Sequence, residues 1–269
     1  MTKATTDEQR MILTREDLVQ GLSGCGLKAG ATVIAHTSMR KLGFIVGGAE
    51  TLIRALLDVV GEEGTIVMPS QTWKNLDPES GVHWEEPEAW WPLIREHWPA
   101  YDKRVTPSIG MGAAAEMLRT WPGAERSDHP ARSFAAVGKH AAYVTQYHDL
   151  RNIFGDGSPL AKLYDLDCDI LLIGVGHEKN TSLHLAECRS THPGKQLARE
   201  SSAIMTGGKR SWVTYETLAV DDADFVRLGE AYEREHGVIS HRIGGAEVRL
   251  LKQRPLVDWA TAWMNANRK

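Results

Sequence analysis

The chain has 269 residues, with 31 Lys and Arg against 35 Asp and Glu and a formal net charge of -4. That balance argues against a general nucleic-acid-binding protein, which usually carries a basic face, and it suits an enzyme. The three cysteines lack paired spacing, which argues against a disulfide framework and favours a reducing cytoplasm. The polar start MTKATTDEQR lacks the apolar core of a signal peptide, and no apolar run approaches a membrane span.

Helices and strands are predicted to alternate along the chain. A capped helix is expected over 14–24, a strand over 32–36, a helix over 49–60 and a strand over 65–69. Further on, the patterns predict helices over 109–120, 139–147, 159–165, 222–235 and 255–266, and strands over 133–138, 169–173, 211–220 and 246–251. We therefore expect one α/β domain over residues 1–269, with a mixed sheet flanked by helices as an α/β/α sandwich.

An irregular segment over residues 71–104 interrupts this alternation. It is rich in proline and acidic residues and holds five of the nine tryptophans: Trp73, Trp84, Trp90, Trp91 and Trp98. Long loops on α/β scaffolds often carry binding function, so this is a candidate substrate loop. Buried tryptophans also anchor a long excursion by packing alone, and both interpretations stay open.

The most informative stretch is LLIGVGHEKNTSLHLAE, from Leu171 to Glu187. It predicts a buried strand, a turn at Gly174 and Gly176, and a helix start that Asn180, Thr181 or Ser182 can cap. His184 and Glu187 lie three residues apart, so both project from one helix face, an arrangement suited to proton transfer. A half-buried histidine beside a solvated glutamate is the alternative.

Four pieces of the chain resemble the aminoglycoside 3-N-acetyltransferases, the antibiotic N-acetyltransferase family that uses acetyl-CoA. They are HTSMRKLGFIVGGAETLIRALLDVVGEEGTIVMPS, PAYDKRVTPSIGMGAAAEMLRTWPGAERSDHPARSFAAVG, GDGSPLAKLYDLDCDILLIGVGHEKNTSLHLAE and WVTYETLAVDDADF, at 36–70, 99–138, 155–187 and 212–225. Each is moderately specific, and their shared order is highly specific. The resemblance implies a fold different from that of the GNAT superfamily.

The resemblance implies an acetyl-CoA site and no metal. Its cradle for the pantetheine and pyrophosphate matches the loop 36–43, and backbone N–H groups, hydroxyls and cations suit phosphates. A second match, TPSIGMG, implies further lining of the channel, although alone it would predict a helix start at Thr106-Pro107. The implied cofactor-binding residues are His36, Thr37, Ser38, Leu42, Gly43, Thr106, Ser108, Met111 and Gly112.

The family's catalytic histidine matches His184, with Glu187 as its partner. A histidine with an ordinary pKa of ~6.5 suits a base that must free an amine at neutral pH. We expect direct transfer in a ternary complex, without an acylated cysteine. His129 is expected to support the structure or the site, and the sequence leaves the roles of His129 and His177 open.

For the acceptor, the resemblance implies a polycationic aminosugar, namely the 3-amino group of the 2-deoxystreptamine ring of an aminoglycoside, and thereby antibiotic resistance. Acidic side chains would face it. We expect a monomer or a homodimer that binds neither nucleic acid nor membrane. The implied substrate-binding residues are Asp77, Glu79, Glu178, Glu216 and Asp221.

Three other functions compete with this prediction. A metal-dependent hydrolase would draw zinc or manganese ligands from His177, Glu178, His184 and Glu187, although the chain lacks an HExxH helix. A family member acetylating a non-antibiotic amine, or a non-catalytic CoA- or sugar-binding module, would share the same motifs. A serine hydrolase fits poorly because GxSxG is absent.

Overall fold

The computed structural model describes residues 11–80 and 84–269. The stretch MTKATTDEQR and His83 lie outside the described residues. The strands are β1 (Ile12–Leu13), β2 (Thr32–Thr37), β3 (Phe44–Ile45), β4 (Thr65–Pro69), β5 (Glu125–Arg126), β6 (Phe134–Gly138), β7 (Asp169–Ile173), β8 (Leu197–Thr206), β9 (Lys209–Leu218), β10 (Ser240–Ile243) and β11 (Ala246–Lys252). The helices are α1 (Arg15–Gly24), α2 (Met39–Leu42), α3 (Gly48–Val60), α4 (Trp91–His97), α5 (Ala113–Arg119), α6 (Ala141–Thr145), α7 (Pro159–Asp165), α8 (Ser182–Arg189), α9 (Phe225–His236) and α10 (Gln253–Asn267).

A mixed sheet forms the centre of the fold, in the order β10-β11-β7-β2-β4-β6-β5. The central strands β7, β2 and β4 are parallel, and the flanking strands pair antiparallel with them. Within β2, β4 and β7 almost every side chain is buried, because helices cover both faces of the sheet. The predicted mixed α/β sheet is confirmed.

Two hydrophobic cores lie on opposite faces of this sheet. Helices α1, α3 and α5 pack on one face, and α6 to α10 pack on the other. Successive residues of β2 alternate between the cores, with Val33 and Ala35 in the first and Ile34 in the second. Helix α1 begins with the predicted cap, in which the Thr14 hydroxyl accepts from the Asp17 amide while the Asp17 carboxylate accepts from the Thr14 amide.

Several elements differ from the sequence-based prediction. The helix expected over 109–120 begins only at Ala113, because Gly110 and Gly112 both take a positive φ of +87° and break the helical path. The segment 71–104 is not wholly irregular, since it contains helix α4 and three short 3-10 helices. Strands β1, β3, β5, β8 and β10 and the helices α2 and α4 were not predicted.

The tryptophan-rich segment packs beside the long hairpin of β8 and β9. The Asp77 amide donates to the Ser201 carbonyl and the Tyr101 amide donates to the Ala203 carbonyl, both at 2.9 Å. The indole N–H groups of Trp84, Trp91 and Trp98 donate to acceptors within the segment, as Trp98 does to Asn75 Oδ1 at 2.9 Å. These contacts favour the anchoring interpretation for the tryptophans. They also place the segment against the hairpin whose second strand carries the WVTYE motif.

None of the helices in the described residues is both long enough and apolar enough to cross a bilayer.

Close packing between α9 and the loop after β7 yields a test of the fold. Alanine normally stabilises a helix interior by about 1 kcal/mol relative to glycine. A Cβ added at Gly229, however, would lie 2.0 Å from His177 Cγ. We expect Gly229→Ala to lower the free energy of unfolding by roughly 1–3 kcal/mol, because the loop must shift. Urea denaturation measures this.

The matched control is Gly24→Ala, since a Cβ there meets no atom within 4 Å. This variant should leave the free energy of unfolding unchanged or slightly raised. Equal free energies of unfolding for the two variants would mean that the loop after β7 accommodates the added methyl group without loss of stability.

Candidate active site

The candidate site lies at the topological switch point of the sheet, where the order of the strands reverses. Strand β2 has β4 on one side and β7 on the other, so the loops after β2 and β7 leave the same edge side by side. The Ser38 amide donates to the Ile173 carbonyl at 2.8 Å and ties the two loops together. In open α/β sheets such a crevice at the carboxyl ends of the strands is the usual ligand site.

His184 and Glu187 form a hydrogen-bonded pair on helix α8. The distance from His184 Nδ1 to Glu187 Oε2 is 2.8 Å. The His184 side chain is 14% exposed and that of Glu187 only 3%, so the histidine is the more accessible member of the pair. Because Nδ1 is engaged by the carboxylate, Nε2 is the ring nitrogen left to take a proton from a bound amine.

Two aromatic rings fix the plane of the His184 imidazole. Phe154 stacks on one face, with ring centroids 4.7 Å apart and planes 9° apart. Phe225, at the start of α9, packs against the ring at 4.8 Å with its plane tilted by 56°. Both phenylalanines are fully buried, so the imidazole has little freedom to rotate. The two phenylalanines and the Glu187 carboxylate therefore hold the imidazole in one orientation.

The Glu187 carboxylate is buried but fully supplied with donors. Its Oε1 accepts from the Asp221 amide and from Arg268 NH1, each at 2.8 Å. Burial works to raise the pKa of Glu187, but the hydrogen bonds from His184, Asp221 and Arg268 outweigh it and lower the pKa overall. The alternative of a solvated glutamate beside the histidine is therefore wrong.

The cofactor loop predicted after β2 turns tightly at the mouth of the crevice. His36 lies in β2 with 7% exposure, and burial lowers the pKa of His36 to about 3, so the ring is neutral. Its buried Nε2 has no hydrogen-bond partner among the described residues. Thr37 ends the strand and Ser38 precedes α2, both half-buried, and Leu42 is fully buried in the core.

Gly43 is required where it stands. It takes a φ of +112°, and a Cβ there would lie 2.5 Å from the Met11 carbonyl oxygen. Any other residue would push the loop away from β1 or distort its backbone. The loop is thus packed closely against Met11, and the side chains of Arg40 and Lys41 are exposed.

The second predicted cofactor segment is a loop rather than a helix start. The Ser108 amide donates to Glu116 Oε2 at 2.8 Å, and its hydroxyl donates to the Gln71 carbonyl. The Thr106 hydroxyl accepts from the Asp102 amide at 3.0 Å. Met111 packs on the first core, and Gly112 is the exposed residue before α5. The segment therefore borders the end of β4 by way of Gln71.

A cleft of about 430 Å³ lies between the loop after β7, helix α9 and the β10–β11 hairpin, with Lys41 from α2 at its border. Its lining is strongly charged and includes Lys41, Glu178, Arg242, Glu247 and Arg249. Glu178 is exposed there, and its Oε1 accepts from the Gly176 amide at 3.0 Å. Of the predicted acceptor carboxylates, Glu178 thus lies beside the predicted cofactor loop.

The other predicted acceptor carboxylates are dispersed. Asp77 forms a two-point ion pair with Arg95 at 2.8 Å, and Glu79 contacts the same arginine at 3.0 Å. The Asp221 carboxylate accepts from the Ala223 amide, and it is the backbone of Asp221 that touches Glu187. The structure therefore does not bring these side chains into one acidic cluster.

Glu216 lines a second cleft, of about 330 Å³, on the hairpin. Its neighbours there are Arg151, Arg199, Thr214 and Tyr215. Arg199 lies directly across from Glu216 in the hairpin register. Arg151 precedes by three residues Phe154, whose ring stacks on His184.

The two histidines of undecided role are both buried. His129 Nδ1 accepts from the Ala131 and Arg132 amides at 3.2 and 3.0 Å, which is a structural role in a turn. His177 Nε2 is 2.9 Å from Glu233 Oε1, which links the loop after β7 to α9. His177 and His184 thus bind different carboxylates, and the described residues form no cluster of three or more potential metal ligands.

Three contributors to the site escape sequence reasoning. Phe154 and Phe225 look like ordinary core residues, and Arg268 lies 81 residues beyond the carboxylate that it contacts. The motif FGDGSP and the helix start near 222 mark the two phenylalanines only as buried apolar positions. No pattern in the sequence signals Arg268.

Residues 34–265 match the model of the aminoglycoside 3-N-acetyltransferase family. The SPbeta prophage-derived aminoglycoside N(3')-acetyltransferase-like protein YokD of Bacillus subtilis is 40% identical over 255 residues, covering 94% of this chain and 93% of that protein. Aminoglycoside N(3)-acetyltransferase VII of Streptomyces paromomycinus is 36% identical over 266 residues, covering 94% and 91%.

Solved structures share the fold over nearly the whole chain. The crystal structure of YokD superposes with a TM-score of 0.93 at 38% identity, covering 97% of this chain and 96% of that one. Sisomicin-bound AAC-VIa gives 0.85 at 30% identity, covering 96% and 100%, and the binary complex of AAC-IIIb with CoASH gives 0.85 at 27%, covering 95% and 97%. The resemblance predicted from the motifs is thereby confirmed, as is its assignment to the transferases, and the chain belongs to the aminoglycoside 3-N-acetyltransferase family.

Proposed function

We propose that this enzyme transfers the acetyl group of acetyl-CoA to the 3-amino group of the 2-deoxystreptamine ring of an aminoglycoside, and thereby confers resistance. The observation that carries the proposal is the His184–Glu187 pair at 2.8 Å on helix α8, which follows the family-matched loop after β7. Family members named for this reaction, and neighbours solved with CoASH and with sisomicin, support the substrates. The three free cysteines fit action in the cytoplasm.

The proposed chemistry is direct transfer with His184 as general base. An alkyl amine is mostly protonated near neutral pH and must lose a proton to act as a nucleophile. The ammonium first gives one proton to solvent; the neutral amine then bonds to the acetyl carbon as the bond from that carbon to the CoA sulfur breaks, and His184 Nε2 takes the second proton of the nitrogen. Glu187, bound to Nδ1, holds the ring and stabilises the imidazolium, after which the proton passes to the leaving thiolate or to solvent.

The residues after β2 fit a thioester cosubstrate that bears phosphates. The exposed Arg40 and Lys41 supply positive charge beside the tight loop. Gly43, which has no Cβ, allows this loop to pack closely against Met11 and so keep the shape that the cosubstrate would meet. The neutral His36 offers a buried Nε2 without a partner among the described residues, which a group entering the channel would satisfy. The Ser38 amide already donates to β7, so we do not assign it to an oxyanion.

The hairpin cleft favours a second candidate for the acceptor. A polycationic sugar calls for several carboxylates, yet Glu216 shares this cleft with Arg151 and Arg199. An amine that also carries an anionic group would satisfy all three side chains. The second candidate function is therefore acetylation of such a non-antibiotic amine by the same His184 chemistry.

A thiol-release assay with acetyl-CoA tests the base. Replacing His184 by alanine should lower kcat by roughly 100-fold or more, the usual scale for a lost general base. The affinity for CoA should not change, because the imidazole belongs to the acceptor half of the reaction. His97→Ala, at a side chain that is 67% exposed, is the matched control. Turnover close to wild type in folded His184→Ala would refute the assignment.

Calorimetric titration with CoA tests the loop after β2. Gly43→Ala should weaken CoA binding roughly tenfold or more, because a left-handed φ and a 2.5 Å contact with the Met11 carbonyl both force the loop to move. Gly30→Ala is the control, since Gly30 has a φ of +79° and no atom within 4 Å of an added Cβ. Equal CoA affinity in the two variants would place the cosubstrate elsewhere.

Steady-state kinetics with sisomicin distinguish the two acceptors. If the acceptor is polycationic, Glu216→Gln should raise its KM about two- to fivefold and Arg199→Gln should lower it, on the usual scale of exposed charge pairs. Both effects should shrink in high salt, and KM for acetyl-CoA should stay constant. The reverse pattern, with turnover only of amines that bear an anionic group, would favour the second candidate.

A further inference from the structure

Arg268, near the end of the chain, reaches the carboxylate behind the candidate base. Its NH1 donates to Glu187 Oε1 at 2.8 Å, and its side chain is 10% exposed. The Arg268 amide donates to the Met264 carbonyl and so completes the last turn of α10. The guanidinium is therefore held by a helix end that packs against α8 and α9, and its contact with Glu187 is part of the folded core.

The same guanidinium ties the carboxylate to the segment before α9. It donates to both carboxylate oxygens of Asp224 at 3.0 and 2.5 Å and to the Asp221 carbonyl at 2.9 Å. The Asp221 amide in turn donates to Glu187 Oε1. These bonds form a closed network of Glu187, Arg268 and Asp221. Asp224, which the same guanidinium binds, directly precedes Phe225, and Phe225 packs on His184.

The guanidinium also compensates the negative charge of the carboxylate that contacts the His184 imidazole. A lone buried carboxylate would strongly favour the protonated form of a neighbouring histidine. A positive charge 2.8 Å from the far oxygen opposes that effect. The other titratable groups around the carboxylate are Asp221 and Asp224 before α9, Cys188 on α8, and His192 and Lys195 after it.

We propose that Arg268 is a positioning residue for the transfer reaction, which holds Glu187 against His184 Nδ1 and limits the stabilisation that Glu187 gives to the imidazolium. The inference rests on the proposed role of His184 as the base. The guanidinium acts on the imidazole through Glu187 and through the segment of Asp221 and Asp224 that precedes Phe225. Its effect should appear in the pH dependence of turnover and not in the affinity for acetyl-CoA.

The pH dependence of kcat in the thiol-release assay tests this role. Arg268→Gln removes the charge but keeps a donor, so Glu187 would stabilise the imidazolium more and the base would stay protonated to higher pH. We expect the acid limb of the profile to move upward by about one pH unit. At pH 7 kcat should fall about three- to tenfold and recover largely above pH 8.5. Arg268→Lys should restore most of the wild-type profile.

Arg254→Gln is the matched control, because Arg254 lies on the same helix and donates only to the carbonyls of Tyr164 and Asp165. An unshifted acid limb in Arg268→Gln, or a uniform loss of kcat that matches the loss of thermal stability, would overturn the positioning role. His184→Ala measured alongside separates the two proposals. If that variant keeps its turnover, the assignment of the base has failed; if it is inactive while Arg268→Gln is unaltered, only the role of Arg268 has failed.

Discussion

The arrangement of the candidate site depends on compensating the buried negative charge of Glu187. An ionised carboxylate removed from water costs several kcal/mol unless charged or hydrogen-bonding partners compensate it. Here an imidazole, a guanidinium and a backbone amide supply the compensation. They come from α8, from the end of α10 and from the segment before α9, so three distant parts of the chain must meet for the charge to be tolerated.

That convergence helps to hold the His184 imidazole in one orientation. The parallel strands β2 and β7 bring their two following loops to one edge of the sheet, and helix α8, which carries His184, follows the second of these loops. On the second face of the sheet, Phe154 from the loop before α7 and Phe225 from the start of α9 pack in the apolar core and hold the ring. Packing and electrostatics therefore fix the same imidazole from different sides.

Local patterns allowed much of this to be predicted from the sequence. Buried apolar runs marked the central strands, and the spacing of His184 and Glu187 on a helix indicated their contact. Long-range pairing was out of reach: nothing near Asp77 reveals that Arg95 engages it, and nothing near Glu187 reveals Arg268. Strand β8 was missed because its LARESSAIMT sequence is half exposed and polar, so its conformation depends on pairing with β9.

The attachment of the tryptophan-rich segment to β8 bears on the tendency of the protein to aggregate. A two-stranded ribbon is only marginally stable alone, and its free carbonyls form a template for intermolecular strand pairing. The amides of Asp77 and Tyr101 occupy the outward carbonyls of Ser201 and Ala203. Shortening this segment would therefore uncover an aggregation-prone edge, and such variants need a replacement cover for β8.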